Sequence, residues 1–235
     1  MEKIEKLYFI NLNRREDRRN HFLNECVKSN IPMNKVFRVE AIDGLLYNFH
    51  RNELTMFSNA NFLNNPDNII KKIIGNQLSH YYLLKEIIRE NLQFTIICQD
   101  DAVFIPNFMD YIDNVISNLP IDAEIINIGL HKEADLYYSE AWHFNREEND
   151  NDKISSQVIN EYICKMKSDI NPCSLAYIVT LEGAKNIVEH FEKFGFKQAT
   201  DYNFNEYLIN KDIFYSSSTI LVTGNPQLGS DIFNA

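Results

Sequence analysis

Asp100 and Asp101 are adjacent acids placed where they could do metal chemistry. They follow the run F-T-I-I-C-Q, residues 94–99, and precede Val103 and Phe104. Phe94, Thr95, Ile96, Ile97 and Cys98 form a short apolar, β-rich run of the kind that fills a strand buried on both faces. Such a strand has no water to solvate two carboxylates, so the pair belongs at its C-terminal end, open to a crevice. Two acids there offer oxygen ligands to a hard divalent cation, and that cation would neutralise a diphosphate. The alternative is a solvated acidic turn, and the rest of the chain bears on the choice.

A second set of donors lies near the start. Asn11 sits near the end of the apolar run L-Y-F-I-N-L, residues 7–12, and N-R-R-E-D-R-R follows with Arg14, Arg15, Arg18 and Arg19. A strand that ends in Asn and Arg and opens a helix sets donors where a phosphate or uracil can rest. Cations are disfavoured at a helix N-terminus, so four arginines there need a reason beyond a solvated first turn. Farther on, Ser79 and His80 fall in the first turn of a helix that Gly75-Asn76 introduces. A lone histidine at such a place is a cap, a packing residue or a catalyst.

The elements that must position these residues alternate along the chain. Residues 7–12, 36–42, 94–98, 123–129 and 174–180 read as strands, with short late strands at 213–215 and 219–222. Residues 14–28 read as a helix from Phe22, Leu23, Cys26 and Val27, and 75–90 from Leu78, Tyr81, Leu84, Ile87 and Ile88. Residues 108–119 carry the cleanest amphipathic stripe. Further helices follow from Leu181 and from Asp201. Two stretches resist the pattern. Residues 45–72 are asparagine-rich and weakly periodic, and read as a long excursion with short helices. Residues 131–171 turn polar and aromatic, with Tyr137, Tyr138, Trp142 and Phe144 either flooring a sugar site or pinning a loop. The tail from Gly224 reads as surface coil. The expectation is an α/β domain with a mainly parallel central sheet, one domain over 1–235 with variable excursions near 45–74 and 131–171.

Composition narrows the function. At 235 residues with 45% hydrophobic and 24% charged residues, the chain is long enough to bury a proper core. A formal charge of −10 argues against a nucleic-acid groove or an anionic membrane surface as main partner. Nucleotide sugars stay open, since a few arginines and one metal can hold a diphosphate. The four cysteines, Cys26, Cys98, Cys164 and Cys173, form no C-x-x-C pair, and no run approaches a membrane span. The expected location is a reducing, cytoplasmic one.

Five pieces in order carry a resemblance: F-I-N-L-N-R-R-E-D-R-R (9–19), A-I-D-G (41–44), G-N-Q-L-S-H (75–80), I-C-Q-D-D-A-V (97–103) and A-Y-I-V-T-L-E-G-A-K (176–185), completed by Asp201. Together they resemble glycosyltransferase family 25, which holds lipooligosaccharide and collagen hydroxylysine galactosyltransferases. The resemblance implies a GT-A-type, Rossmann-like domain and a UDP-hexose donor, with galactose or glucose as the sugar. It also implies Mn²⁺ or Mg²⁺, inversion at the anomeric carbon and a glycan or glycoprotein acceptor, as in lipopolysaccharide biosynthesis. On that basis Asp100 and Asp101 hold the metal. Asn11, Arg14, Arg18, Asp43, Gly44, Gln77, Ser79, Gln99 and Asp100 bind the nucleotide sugar. Asp201 is the first candidate for the base and His80 the second; an N-cap is the other reading of Asp201. One departure is Gln99, where the family usually has the first Glu of Glu-Asp-Asp. It motivates an alternative: a nucleotide-sugar or glycan-binding protein that has lost turnover. Oligomeric state stays open.

Overall fold

The computed structural model describes residues 3–130, 156–166 and 174–232. The excursion at 131–171 lies largely outside these, including Tyr137, Tyr138, Trp142 and Phe144, as does Cys173. An eight-stranded sheet forms the centre. Strands β1 (Lys6–Asn11), β2 (Val36–Glu40) and β3 (Phe94–Gln99) pair in parallel as β2-β1-β3. The sheet continues through β9 (Ala176–Thr180), β5 (Ile125–Asn127), β10 (Tyr215–Ser217), β8 (Ile163–Met166) and β7 (Ser156–Val158). β9 runs antiparallel to both neighbours and β8 antiparallel to both of its own, so the other six strands share one direction. The fold is α/β with a mainly parallel sheet. The reversed direction of β9 is invisible in its composition, because a buried strand reads the same both ways.

A three-stranded sheet, β4 (Ala102–Phe104), β11 (Val222–Gly224) and β6 (Gly129–Leu130), closes one end. The run at 94–104 is therefore two strands in two sheets, and Asp100-Asp101 is the turn between them. Likewise 123–129 is split between β5 and β6. The helices are α1 (Glu16–Lys28), α2 (Arg51–Thr55), α3 (Asp67–Glu90), α4 (Phe108–Ser117), α5 (Leu181–Phe194) and α6 (Thr200–Asn210). Phe22 of α1 stacks on Phe9 at 4.4 Å between ring centroids and meets Phe104 edge-on at 5.7 Å. This aromatic column fixes α1 against both sheets, each such pair adding about 0.5–1.5 kcal/mol beyond area burial.

Three local expectations are corrected. Helix α3 starts at Asp67, two turns before Gly75, because Ile70, Ile73 and Ile74 extend the apolar stripe that Leu78 and Tyr81 continue. Gly75 is thus an interior residue and no start signal, and His80 lies in mid-helix. A Cβ at Gly75 would stand 2.6 Å from the Ile42 carbonyl oxygen, and one at Gly44 would stand 1.8 Å from that of Lys71. The two glycines let the loop at 41–44 lie directly on the helix, which outweighs the roughly 1 kcal/mol that an interior glycine costs. Second, the excursion at 45–72 carries the expected short helices, α2 and a 3₁₀ turn at Asn61–Asn64, but its last residues belong to α3, and a buried polar cluster ties it to that helix. Glu53 is buried, accepting bonds from Tyr47 Oη (3.0 Å), Tyr82 Oη (2.5 Å) and the His50 amide (2.6 Å). Third, the tail lies at the surface, as expected, but it is not plain coil. After β11 it forms a 3₁₀ turn at Pro226–Leu228 and returns to the mouth of the crevice.

Candidate functional site

The C-terminal ends of β1 and β3 open on a cavity of about 580 Å³, a size common for small-molecule sites. Its walls come from six places. The strand ends and their turn give Ile10, Gln99, Asp100 and Asp101, and the segment entering α1 gives Leu12, Arg14 and Arg18. The docked loop gives Asp43 and Gly44, and one face of α3 gives Lys72, Asn76 and Ser79. The start of α6 gives Asp201 and Tyr202, and the tail gives Gly229, Ser230 and Asp231.

Arg18 is the electrostatic centre. Its Nη1 lies 3.0 Å from Asp100 Oδ1 and its Nη2 2.5 Å from Asp101 Oδ2, with all three side chains under a tenth exposed. Asp100 Oδ2 also accepts from Asn11 Nδ2 at 2.7 Å. Burial nevertheless pushes the Asp100 carboxyl up to about 6, against the pull of Arg18 and Asn11. Asp101 Oδ1 is buried without a hydrogen-bond partner. A charged oxygen on a cavity wall is costly to leave unmet, and an incoming cation would meet it. The donor set fits a hard divalent ion that takes two carboxylates here and its other ligands from a bound diphosphate. Among the described residues no cluster of three or more His, Cys, Asp or Glu could hold a metal by itself.

The predicted site residues divide. Arg14, Arg18, Asp43, Gly44, Ser79, Gln99, Asp100, Asp101 and Asp201 meet at the cavity. Gln99 donates to Ser174 Oγ at 3.0 Å, and Ser79 accepts from the Ile42 amide at 2.8 Å while donating to the Gly75 carbonyl. Asp201 is the second residue of α6, whose N-cap is Ala199, and its Oδ1 accepts from the Tyr202 amide at 3.1 Å, so its carboxylate meets the first turn from inside the helix. Asn11, Gln77 and His80 are not on the wall. Asn11 is an internal strut: besides holding Asp100 it donates to the Arg15 carbonyl at 3.0 Å and accepts from Arg38 Nε at 2.9 Å. Gln77 accepts from Asn203 Nδ2 at 3.0 Å in the core. His80 is fully buried, with Nδ1 2.8 Å from Tyr177 Oη and its ring among Tyr177 and Phe204. Burial brings its imidazole down to about 3, so it is neutral and remote from any acceptor in the cavity.

Sequence reasoning missed Asp231. Its Oδ1 lies 3.0 Å from Arg14 Nη2, and its Oδ2 lies 2.5 Å from Arg15 Nη1 and 3.2 Å from Arg18 Nη1. The only local signal is Gly229, whose φ of 67° marks a turn just before it. Arg14 also bonds Asp43 at 2.5 Å. Of the four cations expected to be ill-placed at the start of α1, Arg14, Arg15 and Arg18 therefore face carboxylates of the loop, the turn and the tail, and Arg19 pairs with Glu16 of its own helix.

Comparison with known proteins agrees with these motifs. The family described as "Glycosyltransferase family 25 (LPS biosynthesis protein)" matches residues 4–204. Procollagen galactosyltransferase 2 of Homo sapiens is 26% identical over 252 aligned residues, covering 97% of this chain and 37% of that protein. The Mus musculus protein of the same name is 25% identical with the same coverage. The chain thus spans little more than a third of the length of these relatives. Among solved structures, mouse xyloside xylosyltransferase 1 in its apo form aligns with a TM-score of 0.39 at 10% identity, covering 89% of this chain and 70% of that one.

Proposed function

The chain belongs to glycosyltransferase family 25; from that premise we propose that it is a glycosyltransferase that moves a hexose, galactose or glucose, from a UDP-sugar to a hydroxyl of a glycan or glycoprotein. The observation that carries the reading is the unmet oxygen of Asp101 beside Asp100 and Arg18 at the crevice of the parallel strands. Asp100 and Asp101 would hold Mn²⁺ or Mg²⁺, which supplies positive charge to the diphosphate leaving group when bound. Arg14 and Arg18 face the same cavity and oppose the charge that develops on the departing UDP. The acceptor oxygen forms its bond to the anomeric carbon as the bond to the phosphate oxygen breaks, its electron pair leaving with UDP, so the configuration inverts. Asp201, which lines the same cavity at the start of α6, takes the acceptor's proton. The arrangement suits a GT-A-type domain, and the name of the relatives suggests a procollagen-like protein acceptor.

Cys26, Cys98 and Cys164 are free and buried, and no helix among the described residues is long and apolar enough to cross a membrane. The test is hydrolysis of UDP-galactose and UDP-glucose with Mn²⁺ and in EDTA. Metal-dependent release of UDP supports the reading. Tight UDP binding without release or transfer would favour the turnover-deficient alternative that Gln99 motivates.

A further inference from the structure

The tail places an anion where the arginines converge. Asp231 takes ion pairs from Arg14, Arg15 and Arg18 at once. The backbone of the same segment accepts from Arg15 Nη2 at Leu228 (3.0 Å) and from Arg18 Nη2 at Gly229 (3.4 Å). The segment is hinged on the acidic turn itself, through the Asn225 amide and the Asp101 carbonyl at 2.8 Å. Charge-assisted bonds of this kind are the strong ones. Yet Asp231 is about a fifth exposed and follows a glycine turn, so it can leave without disturbing the core.

The charges on the cavity wall make its departure necessary. Asp43, Asp100, Asp101, Asp201 and Asp231 face only Arg14, Arg18 and Lys72 there. A diphosphate entering that wall meets net repulsion, and one of its phosphates needs the guanidinium groups that Asp231 holds.

We propose that Asp231 is an internal stand-in for phosphate: it occupies a three-arginine subsite, Arg14, Arg15 and Arg18, which the diphosphate of the donor takes over by displacing the tail. The inference rests on the donor reading above and adds Arg15 and a competing carboxylate to it. Competition lowers apparent affinity by the fraction of molecules whose tail is open.

The experiment titrates inorganic pyrophosphate into the full chain in EDTA by calorimetry, comparing wild type with Asp231→Asn and Asp231→Ala. Both variants should bind about tenfold tighter than wild type. Amide exchange over residues 227–232 of the wild type should quicken when pyrophosphate binds. Equal or weaker binding in the variants, no binding in any of the three, or exchange that slows would overturn the proposal. A variant that weakens pyrophosphate only when Mn²⁺ is added would make Asp231 a cation ligand and overturn it too. Pyrophosphate carries neither sugar nor uridine. Tight binding to it without UDP-hexose turnover would therefore sink the proposed function and leave this inference standing.

Discussion

Among the buried carboxylates of the described residues, two centres are finished to different degrees. Glu124 lies beneath α5 and α6 with both oxygens met: Oε1 accepts from Asn186 Nδ2 at 2.9 Å and from Lys211 Nζ, and Oε2 accepts from Tyr207 Oη at 2.6 Å. Asp100 and Asp101 share one arginine, and Asp101 Oδ1 is left without a partner. A satisfied buried carboxylate joins elements together. An incompletely satisfied one, on the wall of a cavity, is poised for a ligand. Burial alone would not have separated them, since Glu124 and Asp101 are both 6% exposed.

The contrast can be sharpened at the acceptor side of the cavity. In a direct displacement the base serves only transfer, so Asp201→Asn should keep affinity for the UDP-sugar and lose about 100- to 10,000-fold in transfer rate. Steady-state transfer alongside a UDP titration checks this. Wild-type transfer would remove Asp201 from the role.

At the finished centre the effect should fall on the fold. Glu124→Ala strands the Tyr207 hydroxyl and Asn186 amide, and should cost about 2–3 kcal/mol in urea unfolding while leaving UDP affinity unchanged. A stability change below about 0.5 kcal/mol would break the comparison.

Helix α3 repeats the lesson within six residues. The motif G-N-Q-L-S-H reads as one functional unit, yet the helical period sends Asn76 and Ser79 to the cavity and Gln77 and His80 to the core. His80 should therefore report on stability. It stays neutral in the folded chain down to about pH 3, whereas the unfolded chain takes up that proton near pH 6.5. The unfolded state binds more protons in that window, so stability falls as pH drops from 6.5 toward 3, by at most about 1.4 kcal/mol per pH unit from this group. His80→Gln should flatten that slope relative to wild type, as read by unfolding at pH 5 and pH 7; parallel slopes would contradict the burial of a neutral ring.

What was legible in the sequence follows from the range of the forces involved. Apolar runs such as 94–98 announce strands, and a sharp change to Asp-Asp announces a strand end, because both signals are local. The start of α3 was hidden because Asn68, Lys71 and Lys72 dilute its first turns and Gly75 imitates a boundary. The strut role of Asn11 depends on Arg38 of β2 and on Asp100 in the turn after β3, and the place of Asp231 depends on a contact spanning more than 200 residues. Nothing in the tail's own residues encodes that partner.

The central claim is that the unmet oxygen of Asp101 is where a cation and a diphosphate bind. Calorimetric titration of UDP with and without Mn²⁺, in wild type, Asp101→Asn and Glu124→Gln, tests it most directly. The account predicts that Mn²⁺ strengthens UDP binding in wild type and Glu124→Gln and has no effect in a folded Asp101→Asn. Equal Mn²⁺-dependent tightening in Asp101→Asn would contradict it.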